Sequence, residues 1–462
     1  MKQVHWGSKL GFILATAGSA IGLGNIWRFP YLAGSYGGGS FLLLYILCII
    51  GLGYFLLLGK LAFGRVAQTN IVDGFCVVAN KNKKQISPLW GYLIGGLSIL
   101  NALLVTGVYV VVIGWTLSYF VLSAVHLFGP PIQINTDMFH ALTSSFGSQM
   151  IWGSLCILIT SAVLIKGVKK GIERISLLLM PFLFILLIFM VVWMFFLPNS
   201  GKGLSFLFMP DWQTLGFTEN GFDFYKFSDV LLAAVGQALY SLSMGLGVIF
   251  VYGSYLSDKT NLKNATKWIV TLDTLVAVMA GMIVLPAVFS FNMQPDSGPS
   301  LSFISLPMVF SQMTGGAVFM FMFFALLFIA ALTSLISIYE GIVNLIIGKR
   351  HLSRTQATGL LAIVNACITA IILASFTDKI SWRMMGQDLF SAIDTLTGSY
   401  LMSLMMVFVS FFMGWFVSSV LIRDIANGTD GLSKSFKRYM RFTLRFTAPI
   451  VLLVLLGLSL FE

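Results

Sequence analysis

Apolar residues fall in repeated long runs, at or above the roughly 20 residues that cross a bilayer as a helix. Eleven spans are predicted, near residues 10 to 35, 41 to 65, 90 to 124, 150 to 167, 175 to 197, 229 to 255, 265 to 291, 316 to 347, 355 to 376, 388 to 422 and 440 to 461. With 58% hydrophobic and only 10% charged residues, a soluble fold is excluded. The chain reads as an all-α integral membrane protein with no separate soluble domain. No cleavable signal peptide is evident, because the first apolar run continues into a Gly-rich stretch rather than a small-residue cleavage site, and it stays as the first span.

Two runs are interrupted. Residues 17 to 30, AGSAIGLGNIWRFP, place small residues and a lone Asn25 where an unbroken helix is expected. Residues 237 to 247, QALYSLSMGLG, interrupt the sixth span with small and hydroxyl residues, and Gly-Leu-Gly occurs in both stretches. Unwound backbone in a bilayer persists only where protein, water or ions satisfy its N–H and C=O groups. Small residues also line close helix crossings. Paired breaks five spans apart, however, point to an inverted-repeat transporter, with carbonyls for cations and half-helix N-termini for an anion. The repeats are residues 10 to 197 and 229 to 422, followed by an extra helix at 440 to 461.

Net charge is +11, and its placement excludes nucleic acid as the reason for it. Of the 28 Lys and Arg, the predicted inner connections take all but Lys202, Lys226, Lys379, Arg383 and the intramembrane Arg28. By the positive-inside rule the N-terminus is cytoplasmic and the C-terminus external, in the plasma (inner) membrane. The inner basic runs at 81 to 85 and 434 to 445 suit anionic lipid. Outer connections are 125 to 149, 198 to 228 and a lid-like stretch at 291 to 315. Cys48, Cys76, Cys156 and Cys367, like the four histidines, lack metal spacing; no zinc site is implied.

The segments AGSAIGLGNIWRFPYLAGSYGGGSFLLLY, SLSMGLG, DTLVAVMAG and AALTSLIS resemble the neurotransmitter:sodium symporter family, with similarity over nearly the whole chain. The resemblance implies a bacterial leucine transporter-like fold, with helices 1 and 6 unwound at mid-membrane, and alternating-access symport of sodium with an amino acid. It also implies two sodium sites. The first uses Ala20, Asn25, Ser241 and Asp273; the second uses the carbonyls of Gly18, Ile21 and Ala330 with the hydroxyls of Thr333 and Ser334. The alternative for those two hydroxyls is a bond to the preceding helical turn. Asp273 is expensive in an apolar span and by default functional. It reads as a built-in carboxylate that makes chloride unnecessary, the alternative being a pairing near the cytoplasmic end with Lys267 or water.

Gly22 stands where amine transporters of the family carry an Asp, so the substrate brings its own carboxylate. That group is expected at the N–H groups of Leu23 and Gly24 and the hydroxyl of Tyr109, and the ammonium near Ser19, Ala20 and Ser241, with Ser243 close by. Val105, Tyr240, Ser243, Leu246, Ser334 and Ile338 would line a hydrophobic side-chain pocket, with aliphatic and aromatic substrates both open. Arg28 and Tyr240 match the outer gate, but the usual acidic partner falls at Thr397, leaving Asp394 to reach Arg28 through water. Trp6 and Tyr255 match the inner gate, whose ion-pair positions hold Gln3 and Gly348; Lys2 and Glu340 are the candidate substitutes. Metalloprotease, nucleophile-elbow and phosphate-loop motifs are missing, which argues against an enzyme. A channel and a substrate sensor remain the other classes. Oligomeric state is left open.

Overall fold

Helices begin where the sequence supplies caps and end where glycine or a polar turn intervenes. The structure, a computed structural model, describes residues 5–129, 136–198, 200–219, 221–291, 301–350, 352–377, 379–427 and 431–461. Helix α1, Lys9–Ala20, starts at Ser8, whose hydroxyl accepts the Gly11 N–H, and stops at Ile21 in extended backbone. Helix α2, Gly24–Ser35, resumes at an angle of 57°. Then follow α3 (Gly39–Ala67), α4 (Ile71–Lys81), α5 (Gly91–Phe128), α6 (Thr136–Ser144), α7 (Phe146–Ile165), α8 (Val168–Met194) and α9 (Ser200–Phe208). A short antiparallel hairpin, β1 (Phe217–Thr218) and β2 (Gly221–Phe222), leads into α10 (Phe224–Ser241), capped by Asp223.

The second half repeats the pattern of a divided helix followed by long ones. Six residues separate α10 from α11 (Val248–Ser254), and Ser243 and Gly247 in that gap take left-handed φ values of 51° and 71°. Serine is disfavoured in that region, so the turn at Ser243 is held by its surroundings. Beyond it lie α12 (Leu262–Ser290), α13 (Leu301–Gln312), α14 (Gly316–Arg350), α15 (Arg354–Phe376), the hairpin β3 (Arg383–Met384) and β4 (Gln387–Asp388), α16 (Leu389–Asn427) and α17 (Lys434–Leu458). A complete capping box of Ser353 and Gln356 starts α15.

Among the described residues nine helices are long and apolar enough to cross a bilayer, ten with α1 and α2 taken as one. The expected span at 229 to 255 falls outside that count because it is split into an 18-residue helix carrying Lys226, Asp229 and Gln237 and a 7-residue one. The lid expected at 291 to 315 is in part the helix α13, where Phe303 packs on Trp27, Trp115 and Tyr119; residues 292–300, with Pro295, Gly298 and Pro299, lie outside the described residues.

Helices α7, α8, α15 and α17 turn broad apolar faces outward, among them Leu158, Leu178, Ile185, Ile363 and Ile450. Such surface suits lipid and would drive aggregation in water. The inner layer packs backbone to backbone. A Cβ at Gly64 of α3 would stand 1.9 Å from the Phe250 carbonyl oxygen of α11, and one at Gly253 would stand 2.5 Å from that of Leu61. Glycine at these two positions lets α11 lie directly on α3.

Two inner-loop cations of the sequence tally lie elsewhere. Lys60 and Arg65 are buried in α3: Lys60 donates to the Met244 carbonyl in the second break, and Arg65 pairs with Asp424 at 2.9 Å while donating to the Thr260 carbonyl. A buried cation needs a local acceptor, and these side chains find theirs across the fold.

Candidate functional site

The two breaks meet. Asn25, at the start of α2, is fully buried, and its Nδ2 donates to Asp273 Oδ1 of α12 at 2.8 Å and to Ser241 Oγ of α10 at 3.1 Å. Ser241 Oγ donates to Asp273 Oδ2 at 2.5 Å, and Asn25 Oδ1 accepts the Gly22 N–H at 3.2 Å. Asp273 lies about 16 Å along α12 from its first residue, far from the helix start and Lys267. Three elements thus converge on one carboxylate. Two polar hydrogens offset its charge, and a monovalent cation at the same point would replace them, with the Asn25 amide turned to present its oxygen.

A second oxygen cluster lies on the other side of the first break. Ser334 Oγ of α14 is 3.4 Å from the Gly18 oxygen, 3.4 Å from the Ser19 oxygen and 3.3 Å from the Ile21 oxygen. One hydroxyl proton cannot serve three carbonyls at once, so the cluster carries surplus acceptors. Thr333 Oγ1 sits 3.1 Å from the carbonyl oxygens of Ile329 and Ala330, the helical-turn bond the sequence left open. Crowded hard oxygens with no nitrogen or sulfur suit sodium rather than a transition metal, and among the described residues no His, Cys, Asp and Glu group could hold the latter.

Between the clusters is a cavity of about 110 Å³, the room of a few waters. The breaks supply Ser19, Ala20, Gly22, Leu23 and Gly24 on one wall and Tyr240, Ser241, Ser243 and Leu246 on another. Helix α5 adds Val105 and Tyr109, and α14 adds Ser334 and Ile338. Every substrate-lining position expected from the sequence therefore borders one space. Asn25, Trp27, Asp394, Thr397 and Met402 border it too. The Ser19 hydroxyl is buried without a hydrogen-bond partner among the described residues, and the buried Tyr109 hydroxyl lies beside Ser334 and the Leu23 backbone; a ligand bearing donors and acceptors would engage both.

Glycines set the walls. A Cβ at Gly22 would stand 2.9 Å from Ser334 Oγ and 3.5 Å from Tyr109 Oη, and one at Gly24 would stand 2.6 Å from the Tyr240 ring. At Gly18 it would meet Met180 Sδ at 2.9 Å. Gln237, buried on α10, donates to the Gly24 carbonyl at 2.9 Å and bridges the two breaks. Its presence in the broken stretch was visible in the sequence; its partner was not.

At one end of the site the Arg28 guanidinium lies 4.6 Å from the centre of the ring of Tyr240, which lines the cavity, a cation–π contact. Asp394 acts electrostatically on both Arg28 and Tyr240 yet forms no direct ion pair with Arg28. Thr397 bonds back to the carbonyls of Ile393 and Asp394.

Toward the start of α1, Trp6 Nε1 donates to the Tyr252 carbonyl at 3.1 Å, and its backbone N–H reaches the Tyr255 carbonyl. The Tyr255 hydroxyl donates to Glu340 Oε1 at 2.6 Å, and Glu340 pairs with Arg354. Glu340 thus finds a partner other than Lys2, which lies with Gln3 outside the described residues. A Cβ at Gly348 would stand 2.9 Å from Asn70 Nδ2, so a side chain there would require Asn70 to move. The residue missed from sequence is Glu173: its carboxylate accepts the Gly7 N–H and the Ser8 hydroxyl, both at 2.7 Å. An acid within the basic run KKGIER was the available signal.

Residues 3–129 and 134–462 match the model of the sodium:neurotransmitter symporter family. An uncharacterised sodium-dependent transporter of Bacillus subtilis, YhdH, is 34% identical over 98% of this chain and 97% of its own length. One from Haemophilus influenzae is 31% identical over 99% and 98%. The crystal structure of MhsT in complex with L-phenylalanine superposes with a TM-score of 0.85 at 33% identity, over 99% of each chain. This chain is a sodium-dependent transporter and belongs to the sodium:neurotransmitter symporter family.

Proposed function

We propose that the protein carries a hydrophobic amino acid into the cell together with sodium, by alternating access and without chloride. The observation that carries this reading is the cavity between two broken helices with an oxygen cluster on either side. Sodium in the first site is held by the Ala20 carbonyl, Asn25, Ser241 and Asp273, with the substrate carboxylate as a further ligand. Sodium in the second is held by the carbonyls of Gly18, Ile21 and Ala330 and the hydroxyls of Thr333 and Ser334. The substrate carboxylate meets the N–H groups of Leu23 and Gly24 and the Tyr109 hydroxyl; the ammonium meets carbonyls near Ser19, Ala20 and Ser241, with Ser243 close by. Gly22 leaves room for that zwitterion. The side chain lies among Val105, Tyr240, Leu246, Ser334 and Ile338. The phenylalanine bound to MhsT supports an apolar substrate.

Because substrate and sodium share ligands, each raises the affinity for the other, and coupling follows from that reciprocity. Asp273 supplies a resident negative charge beside the first sodium, and this is why chloride is dispensable. Arg28, Tyr240 and Asp394 close the outer path, Trp6 and Tyr255 the inner one. We read α1 with α2, and α10 with α11, as single broken spans. That makes eleven, with inverted repeats at 10 to 197 and 229 to 422, an extra span at 440 to 461, a cytoplasmic N-terminus and an external C-terminus in the plasma membrane.

Uptake of a panel of radiolabelled amino acids into proteoliposomes, with sodium and chloride varied independently, tests the proposal. Sodium-driven accumulation of apolar amino acids against their gradient is expected. Sodium-dependent binding without uptake would instead mark a sensor, and flux that never exceeds equilibration a channel.

A further inference from the structure

The two basic runs at 81 to 85 and 434 to 445, which the proposed transport cycle does not use, meet in the fold. Lys84, just past α4, donates from Nζ to the Trp415 carbonyl of α16 at 3.0 Å and lies 5.2 Å from the centre of the Phe416 ring. Arg445 of α17 donates from Nε to the Gly414 carbonyl at 2.8 Å, and its guanidinium lies 5.5 Å from the centre of the Trp415 ring. Trp415 Nε1 in turn donates to the Arg445 carbonyl at 3.1 Å. Because the two acceptors belong to consecutive residues, the ammonium and the guanidinium are held within about 10 Å of each other.

Local winding makes those carbonyls available. Helix α16 opens into a π-helical turn at Phe412–Val417 and α17 into another at Thr443–Thr447, and such a turn withdraws carbonyls from the regular helical ladder. Asn82 Nδ2 takes the next one, that of Phe416, at 2.6 Å. Gly414 lets the two helices touch, since a Cβ there would stand 2.4 Å from the Leu444 carbonyl oxygen. These bonds fix the cations without neutralising them, because a carbonyl is a dipole and an ammonium or guanidinium a full charge. Among the described residues of α3, α4, α5, α16 and α17 the carboxylates are Asp73, Asp394 and Asp424. Asp73 pairs with Lys349, Asp424 pairs with Arg65, and Asp394 faces Arg28. Arg441, one turn before Arg445, adds a third cation to the same face.

Beside the charges lies exposed apolar surface. The rings of Phe411, Trp415, Phe446 and Phe442 touch in that order and all are exposed. Ile450, one turn beyond Phe446, carries the strip into the outward apolar face of α17. A soluble anion would match the cations and leave the rings in water. A second copy of this chain packed symmetrically on the same face would set like charge against like. An amphiphile with an anionic head matches both parts.

We propose that Lys84 and Arg445 form a binding site for an anionic phospholipid, whose phosphate bridges the two cations and whose acyl chains lie along Phe411, Trp415, Phe446 and Ile450. The site is built rather than merely basic: each cation is held by a main-chain carbonyl and keeps its place when the lipid leaves. An occupied site ties the segment after α4 to the hairpin of α16 and α17.

Native mass spectrometry of the purified full-length transporter tests this, with phosphatidylglycerol and phosphatidylcholine of identical acyl chains titrated in detergent. Each cation near the surface adds about fivefold to the binding of an anionic lipid, so the unaltered protein should prefer phosphatidylglycerol about thirtyfold. Lys84→Gln combined with Arg445→Gln should bring the two lipids near parity. Lys169→Gln combined with Lys170→Gln, which removes two exposed cations from the same predicted side at the start of α8, should keep the full preference. If the first double variant does not fold, Lys84→Gln alone should lower the preference about fivefold. Equal losses in the two double variants would reduce the effect to diffuse charge and overturn the proposal. So would a preference retained without Lys84 and Arg445, or none in the unaltered protein. A lipid-independent dimer that disappears with Lys84 and Arg445 would give the face to a second copy and overturn it as well.

Discussion

Asn25 and Asp273 are one hydrogen-bonded unit, so neither can be altered alone. Asn25→Ala and Asp273→Asn should each raise the half-saturating sodium concentration and the dissociation constant for the amino acid together, by about tenfold or more. Parallel sodium and radioligand titrations check this; a change in only one of the two would refute shared coordination. Gly24→Ala should act through space. Its Cβ would stand 2.6 Å from the Tyr240 ring, which must then leave Arg28. Overpacking of this kind costs about 1–3 kcal/mol, so uptake should fall roughly tenfold while expression and folding, judged by size-exclusion chromatography, persist.

At the scale of elements, α1 is pinned at its inner end by a residue from α8. Glu173 holds the Gly7 N–H and the Ser8 hydroxyl, and Ser8 in turn caps α1. Glu173→Ala should leave both donors loose, and amide hydrogen exchange over residues 5–20 should quicken by about tenfold relative to the rest of the chain, the equivalent of about 1.4 kcal/mol. Glu173→Gln retains one acceptor oxygen and should fall between. Equal exchange in all three proteins would show that Trp6 alone seals this end.

The same residues show what was legible beforehand. Asn25 and Asp273 stood out because polar groups in an apolar run are costly, and the broken stretches stood out because glycine and serine disrupt it. Lys60 and Glu173 did not. Lys60 counted only as one of the inner cations and Glu173 drew no reading at all, and only packing reveals that Lys60 points inward to a carbonyl 184 residues away and Glu173 to a backbone N–H 166 residues away. The sixth run, interrupted in the sequence, is split in the structure into α10 and α11, and α10 carries enough polar side chains to fail as an apolar span by itself.

At the scale of the molecule, the proposed orientation and the proposed independence of chloride each have a direct test. Replacing chloride by gluconate at constant sodium should leave uptake unchanged, whereas replacing sodium by potassium should abolish it. In a variant without its four native cysteines, a cysteine at Glu462 should react with an impermeant maleimide added outside intact cells, and one at Lys84 only after permeabilisation. Labelling in the reverse order would invert the assigned orientation.

Sequence alone determined that the chain crosses a bilayer several times and which two runs are interrupted. These follow from composition and period, which are local properties of an apolar solvent acting on a helix. Tertiary structure alone decided that the two interruptions face each other, that Ser334 gathers the carbonyls of Gly18, Ser19 and Ile21, and that Lys60 serves Met244. Main-chain carbonyls are present at every residue and carry no sequence signal. They become ligands only where the fold removes them from the helix and brings them together.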